Sequence, residues 1–465
     1  MITNRRNRGF FLFALAVLST LVVAAPASAL PVFARKYQTS CQTCHTIFPK
    51  LNPFGQAFRL NGYRMPAETE EMIKEKPVSL GADAYAKMWP SAVFPSSLPS
   101  DAPFAMNMKL ADLYASSHDE SGRTIIHNDF QFPQEVNLFS AGTLGDNFSF
   151  LGEVTYGQLP DGGSEVEIEH AQINWDSPFG PTNAVHVKIG KFAPDYADGF
   201  QEMWLMTNNG IDTMFAYNPI GYRGGTGLGE DGTGISLPSL VQGIEVYGVL
   251  AHRFFYTVGM VNGMGPGPND TFDGNSRKDL YARMDWKFGG MGLDGDTGGS
   301  ELPPQNWRET SLRLGVFAYA GDGRGIDFEV QDDDGNTLSM QDRRYDRIGG
   351  YASAMLSDLN LIGGYVRGND RLRLSDPETG EMLDETKRNY DAWYAQADYV
   401  IAPPFQCSVR YENLRPADKS ADSLRLVNAN FSWLVRANIK LMLEYNRDLR
   451  DAKNYQLATV LRFAY

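Results

Sequence analysis

The sequence is poor in cysteine and in long hydrophobic runs. Its 465 residues contain only three cysteines, Cys41, Cys44 and Cys407, too few for an exported protein to be built as a disulfide scaffold. The only long apolar run lies at the N-terminus, so no internal segment can cross a bilayer as a helix. Acidic residues outnumber basic ones and give a net charge of −14, which excludes the basic footprint of a nucleic-acid-binding protein.

The N-terminal run has the organisation of a secretory signal peptide. Three arginines lie among the first eight residues, the apolar stretch FFLFALAVLSTLVVAA follows, and a small-residue exit, Ala-Ser-Ala, occupies residues 27–29. This order predicts a signal peptide over residues 1–29 and a mature chain that begins near Leu30. An uncleaved anchor is the alternative, but the run is short compared with the about 20 apolar residues of a membrane span.

Two of the cysteines form a motif with a histidine. Cys41-Gln42-Thr43-Cys44-His45 is C-x-x-C-H, the attachment pattern of c-type haem. Two thiols at this spacing add to the two vinyl groups of the porphyrin, and the adjoining histidine binds the iron as the proximal ligand. A structural zinc site would need about four ligands, and a thioredoxin-like pair would need a βαβ context. The motif therefore predicts one covalent haem c, bound by Cys41, Cys44 and His45.

The distal iron ligand is less well determined by the sequence. Met65 follows the motif after a short segment, and a methionine opposite a histidine raises the potential of a haem. Met65 is therefore the candidate distal ligand, with Met72 next, although both methionines also suit plain packing. The other candidates are the remaining histidines, each of which also suits an ordinary polar position: His118, His127, His170, His186 and His252.

The haem-binding part is too small to be stable by itself. We assign residues 30–76 to a monohaem cytochrome c segment and residues 77–104 to a linker. A piece of this size cannot bury a sufficient core. We therefore expect it to face, or to plug, the region that follows.

That following region alternates between apolar and polar residues, as strands do. In IKLMLEYN, residues 439–446, Ile439 and Leu441 share a face opposite Lys440; in FQCSVRYE, residues 405–412, Cys407 falls on the apolar face, where we interpret it as lipid-facing. A soluble sandwich would alternate in the same way. Strands of about ten residues, aromatic residues at strand ends and a last strand that ends on Tyr465 favour a transmembrane barrel.

Counting the strands gives an all-β fold, a 16-stranded antiparallel outer-membrane barrel over residues 105–465, preceded by a small, mostly irregular or helical haem segment. Short and long connections alternate, as periplasmic turns and outer loops do; only residues 289–308 are long where a short turn is expected. The third outer loop, residues 193–240, is expected to fold into the lumen. The predicted strands start near residues 105, 132, 146, 165, 184, 241, 253, 277, 309, 343, 358, 388, 405, 423, 437 and 455.

Residues 29–63 resemble a known family, the fused outer-membrane cytochrome-porins of iron-oxidising bacteria. Three stretches carry the resemblance: Ala-x-Pro-x-Phe-Ala-Arg, C-x-x-C-H and Pro-x-Leu-x-Pro-Phe-Gly. They span about a tenth of the mature chain, and the barrel is similar only in architecture and length. The chain departs from the family at residues 36–38, Lys-Tyr-Gln, where Gln-Thr-Gly is typical. The matching residues are Ala29, Pro31, Phe33, Ala34, Arg35, Cys41, Cys44, His45, Pro49, Leu51, Pro53, Phe54 and Gly55.

The resemblance implies a function at the surface of a Gram-negative cell. Extracellular Fe(II), or another metal donor, would pass an electron to the haem, and a periplasmic c-type cytochrome or other carrier would accept it. If the protein is an enzyme, it is an Fe(II):cytochrome c oxidoreductase without a catalytic acid or base. Arg35, Lys36 and Arg59 are candidates to pair with haem propionates. Two alternatives stay open: outward reduction of an extracellular metal, and a solute diffusion porin with a structural haem plug.

Overall fold

A computed structural model provides the fold of the chain. The predicted signal peptide, Met72, most of the linker and much of the third outer loop lie outside the described residues. Among the described residues, no helix is long and apolar enough to cross a membrane. The structure describes residues 32–66, 87–91, 103–118, 123–158, 163–180, 183–197, 205–207, 211, 240–263, 275–299, 305, 307–324, 328–331, 337–417, 423–451 and 453–465.

The N-terminal segment is a compact series of short elements. Helix α1 covers Val32–Lys36, a 3-10 turn covers Cys41–Thr43, strands β1 (His45–Ile47) and β2 (Lys50–Leu51) form a small hairpin, and helix α2 covers Pro53–Leu60. Helix α2 begins after Asn52, whose side-chain oxygen accepts a hydrogen bond of 2.8 Å from the Gly55 amide. Proline at the first helical position suits this start, because the N–H that it lacks would have no partner within the helix.

The rest of the described chain forms one closed antiparallel barrel. Each long strand pairs with the next in sequence, and the last strand pairs with the first, Leu461 opposite Leu110, which closes the cylinder. Sixteen long strands build the wall, as predicted, and the four-residue strand β12 adds a short extension beside β13. The strands are β3 (Phe104–His118), β4 (Thr124–Leu144), β5 (Phe148–Gln158), β6 (Ser164–Asp176), β7 (His186–Phe192), β8 (Val241–Leu250), β9 (Phe254–Asn262), β10 (Lys278–Gly289), β11 (Glu309–Gly321), β12 (Phe328–Gln331), β13 (Thr337–Ser357), β14 (Leu359–Ser375), β15 (Met382–Ala402), β16 (Phe405–Pro416), β17 (Leu424–Arg436), β18 (Ile439–Asp448) and β19 (Tyr455–Ala464).

Three strands begin earlier than the sequence pattern predicts. β4 starts at residue 124 instead of 132, β13 at 337 instead of 343, and β15 at 382 instead of 388. The ladder between β13 and β14 continues out to Ser339 opposite Ser375. Polar residues interrupt the apolar alternation in these additional segments, as His127, Asn128 and Asp129 do in β4. A paired strand with an interrupted alternation gives only a weak pattern in the sequence.

The barrel places its apolar side chains outside and its polar ones inside. On β18, Leu443 is 47% exposed, whereas its neighbours Lys440 and Glu444 are each 1% exposed. On β16, Val409 is 56% exposed and Cys407 lies on the same outward face. An apolar outer surface around a polar interior is the arrangement of a barrel in a bilayer. The predicted faces of these strands, and the outward position of Cys407, are confirmed.

The two rims of the barrel differ in their connections. One rim, which we call the short-turn rim, has brief turns such as residues 251–253 and 403–404. The chain end lies at this rim too, because the Met106 amide donates to the Tyr465 carbonyl oxygen at 2.8 Å. Most of the long connections emerge from the opposite rim, which we call the long-loop rim. This alternation agrees with the sequence prediction, and residues 289–308 are the exception at the short-turn rim.

The described residues of the third outer loop lie inside the barrel. Tyr196 is fully buried, with its ring 5.9 Å from that of Tyr281 and 5.7 Å from that of Tyr319. Leu205 and Ile211 belong to the same buried cluster. The expected inward folding is confirmed for these residues, which join an aromatic layer across the lumen.

Candidate haem site

The C-x-x-C-H motif forms a tight turn at the short-turn rim. The amide of Cys44 donates to the Cys41 carbonyl oxygen at 3.2 Å, and Ser40 caps the turn by accepting a hydrogen bond from the Gln42 amide. Cys41 is buried and Cys44 partly exposed, and neither is in a disulfide. Both thiols are therefore unoxidised, as thioether bonds to haem c require.

The imidazole of His45 is held through one of its two nitrogens. Its Nδ1 lies 2.9 Å from the carbonyl oxygen of Pro49, so Nδ1 carries the proton that this contact needs. Nε2 then keeps the lone pair with which a neutral imidazole binds a metal. Burial lowers the pKa of His45 to about 4, against the hydrogen bonds from the ring to backbone carbonyls that raise it. At neutral pH the ring is uncharged and in its ligating form.

Helix α2 packs directly on the motif and fixes its shape. The side-chain amide of Asn52 donates to the carbonyl oxygens of Gln42 at 3.2 Å and Thr43 at 3.1 Å. One helical turn later, a β-carbon on Gly55 would lie 2.0 Å from the Cys44 carbonyl oxygen. Only glycine permits this approach, so Asn52 and Gly55 together hold the turn in place.

An apolar cluster surrounds the second cysteine. Four side chains of the segment form its buried centre, with others packed around them. The Phe33 ring stacks on that of Tyr63 with centroids 5.1 Å apart. Met65, 7% exposed, is a member, so the predicted distal ligand lies in the same cluster as Cys44. The cluster consists of Tyr37, Phe54, Phe58 and Met65, with Phe33, Cys44, Tyr63 and Met291 packed against it.

These residues fit the demands of a c-type haem. The turn offers two unpaired thiols, a neutral imidazole with Nδ1 engaged, a thioether and several aromatic rings. Of the five other candidate histidines, three have carboxylate partners in the described part of the chain, His252 with Asp294 among them. His170 contacts Glu153 at 2.8 Å, and His186 contacts Asp176 at 3.2 Å.

Residues 32–66, which we call the plug, contact the inner wall of the barrel on many sides. The Lys440 ammonium donates to the Phe48 carbonyl oxygen at 2.9 Å, and the Gln406 amide donates to the Thr46 carbonyl oxygen at 2.8 Å. Further ties run from plug side chains to the wall near the short-turn rim. They include Lys36–Thr143, Arg64–Asp176, Gln56–Arg313 and Lys50–Asp398, on β4, β6, β11 and β15.

A charged cluster connects the plug with the third outer loop. Arg59 pairs with Asp195 at 2.7 Å, and Asp195 also pairs with Arg283 of β10 at 2.8 Å. Although burial opposes charge on both groups, their attraction raises the pKa of Arg59, and the two guanidinium groups hold the pKa of Asp195 well below its usual range. The buried pair thus stays charged. Arg59, a candidate propionate partner, is engaged by this carboxylate.

The long connection at the short-turn rim is explained by the plug. Met291 packs in the cluster around Cys44, and Leu293 packs with Leu60. The backbone carbonyl of Asp294 accepts a hydrogen bond of 2.9 Å from the Asn61 side chain. Gly295, with a positive φ of 90°, lies against Pro66. Residues 290–299, which we call the strap, therefore cover the plug instead of making a brief turn.

Comparison with solved structures agrees with this architecture. OmpF of Salmonella typhi matches 78% of the chain and 97% of its own length, at 10% identity and a TM-score of 0.50. The barrel is of the porin type. OmpT of Vibrio cholerae covers 79% of the chain and 99% of its own length, at 12% identity and a TM-score of 0.48. An anion-selective porin from Comamonas acidovorans covers 78% of the chain and 99% of its own length, at 10% identity and a TM-score of 0.47. No protein-family model and no curated protein matches the chain.

Proposed function

We propose that this protein is an outer-membrane electron conduit that accepts electrons from extracellular Fe(II) and delivers them to a periplasmic electron carrier through one covalent haem c. The observation that supports this most directly is the position of the C-x-x-C-H turn. It lies in a plug that contacts the inner wall of a porin-type barrel at its short-turn rim. Short turns face the periplasm in outer-membrane barrels.

Three residues of the turn, together with Met65, would hold the haem. Cys41 and Cys44 would anchor it, and His45 and Met65 would be the ligands of its iron. The bound group would supply a site that gains and loses one electron. The contact of 2.9 Å between His45 Nδ1 and the Pro49 carbonyl oxygen fixes the direction in which the ring presents Nε2.

The barrel and the plug together would let the electron donor and the electron acceptor reach the haem from opposite sides of the membrane. The barrel encloses a polar interior where the membrane would otherwise be an insulating hydrocarbon layer of about 25 Å. The plug would carry the redox group inside the barrel. A donor would arrive from the long-loop side. The carrier would meet the plug at the short-turn rim, where Met291 of the strap packs close to Cys44.

The test uses the full-length, haem-loaded protein in detergent, mixed anaerobically with Fe(II) while the haem spectrum is recorded. We expect prompt reduction of the haem, followed by reoxidation when an oxidised c-type cytochrome is added. Haem that is present but stays oxidised would remove the iron-oxidising function. Outward metal reduction would then be supported by a haem potential below that of the iron couple. High ion conductance of the haem-loaded protein in planar bilayers would instead support a solute porin.

A further inference from the structure

Two adjacent strands carry a cluster of metal-ligating side chains that the haem site does not use. Glu153 lies on β5, and Glu169 and His170 lie on β6. One ligand atom from each of the three lies within 4.8 Å of the others. The His170 Nδ1 is 2.8 Å from a Glu153 carboxylate oxygen. Glu153 is buried, and the other two are partly exposed, so the cluster is accessible from one side.

A β-bulge brings the three side chains together. Glu153 pairs with His170 and Val154 pairs with Ile168, which leaves Glu169 as the additional residue on β6. A bulge redirects a side chain that regular pairing would send to the other face. Val154 and Ile168 are exposed on the outer surface of the barrel, so the cluster faces the lumen.

The cluster differs from its neighbours in how its charge is balanced. Beside it, Glu135 lies 3.5 Å from the Lys109 ammonium, and Glu167 lies 2.7 Å from that of Lys191. Within the part of the chain that the structure describes, neither Glu153 nor Glu169 has a lysine or arginine within ion-pair distance. Two carboxylates side by side in a partly buried wall, with the His170 imidazole as their basic neighbour, are costly unless a proton or a cation neutralises them.

The position of the cluster relates it to the plug. Arg64 of the plug binds Asp176, the last residue of β6 at the short-turn rim. His170 precedes Asp176 by six residues, which is about 20 Å of strand. The cluster is therefore displaced from this plug contact toward the long-loop rim, on the side from which an extracellular solute would enter.

We propose that Glu153, Glu169 and His170 bind a divalent first-row transition cation in the lumen, between the long-loop rim and the plug. One imidazole and two carboxylates suit Mn(II), Fe(II) and Zn(II). The further assignment, that the bound cation is the Fe(II) substrate before it gives up its electron, rests on the function proposed above.

The experiment measures Mn(II) binding to the full-length, haem-loaded protein by room-temperature electron paramagnetic resonance, which reports free Mn(II). The variants are Glu169→Gln and His170→Gln, and the control is Glu167→Gln, which removes a carboxylate of the same strand outside the cluster. We expect a tight binding component in the wild type and the control. In both cluster variants the affinity of this component for Mn(II) should fall about tenfold or more. Losses of that size are known even when only a residue that supports a metal ligand is replaced. Equal titration curves for all four proteins would overturn the proposal.

Haem reduction by Fe(II) in the same samples separates the two proposals. If Mn(II) binds at the cluster but Fe(II) leaves the wild-type haem oxidised, the cation site stands and the iron-oxidising function fails. If the haem is reduced but the four Mn(II) curves coincide, the function stands and the site fails. If both stand, Mn(II) should slow haem reduction in the wild type and much less in Glu169→Gln; equal slowing would refute the role of the site in Fe(II) delivery. The haem spectrum and circular dichroism confirm that each variant is folded.

Discussion

The contact between helix α2 and the C-x-x-C-H turn leads to a sharp prediction for Gly55→Ala. A methyl group at this position would lie 2.0 Å from the Cys44 carbonyl oxygen and 2.8 Å from its carbon. Both are backbone atoms, which cannot rotate away as a side chain would. Since real β-carbons do not approach within 3.0 Å, either the helix or the turn has to move by an ångström or so.

The magnitude follows from two opposed effects. Replacing glycine with alanine inside a helix stabilises it by up to about 1 kcal/mol. Overpacking a well-packed site costs about 1–3 kcal/mol, or more where backbone has to shift. Helix α2 is only eight residues long and begins at the contact, so it cannot absorb the shift along its length. We expect a net destabilisation of the plug and a displaced Cys44.

The assay compares haem content per protein and the thermal loss of the haem absorption band. The matched control is Gly157→Ala on β5, where an added β-carbon would have nothing within 4 Å. We expect Gly55→Ala to contain less haem and to lose the band at a lower temperature, and the control to match the wild type. Equal haem content and thermal stability in the two variants would refute the role of this close contact.

Two further predictions concern how the plug is held. Arg59→Gln removes one of the two arginines that pair with the buried Asp195 among the described residues, so we expect a cost below the about 3–5 kcal/mol of leaving a buried charge with no partner. With the plug held less firmly, the conductance of the protein in planar bilayers should rise. The control is Arg308→Gln, which breaks an exposed pair with Asp358 and should change the conductance little. His252 of the β8–β9 turn bonds the strap through Asp294 at 2.7 Å, and this bond raises the pKa of His252 above 6.5. The bond therefore stabilises the folded strap fully at pH values below the pKa of an unfolded histidine, and this stabilisation is lost as pH rises through the pKa of His252 in the folded protein. Hydrogen exchange in the strap should then quicken with rising pH by more than the chemical exchange rate does, although only modestly because the site is so exposed. This excess should vanish in His252→Gln.

The barrel was predictable from sequence where the bilayer imposes a pattern. On β18, Leu443 faces outward while Lys440 and Glu444 face the lumen, and this contrast repeats along the strand with a period of two. The early part of β15, residues 382–387, was not predictable. Its sequence, MLDETK, pairs with β14 as Leu374 opposite Asp384, but lies where the pattern loses its apolar face.

The candidate haem site was likewise predictable from sequence only in part. The motif itself indicates Cys41, Cys44 and His45, because haem attachment fixes their spacing. The partner of His45, the Pro49 carbonyl, is a backbone group and leaves no side-chain signal. The strap was visible only as a turn of unexpected length. Its contact with the plug joins Asn61 to Asp294, residues 233 positions apart, and nothing local in either segment encodes that meeting.

The seating of the plug has a consequence for the order in which the protein is made. Cys41 is 7% exposed once the plug is in place, so under the proposed function its thiol is out of reach of any attachment machinery by then. Wall contacts come from strands as far apart in the chain as β4 and β18, so the last of them form only after nearly the whole chain has been exported. Under that function, thioether formation would therefore belong to the free chain in the periplasm, and barrel closure would then enclose a finished cytochrome.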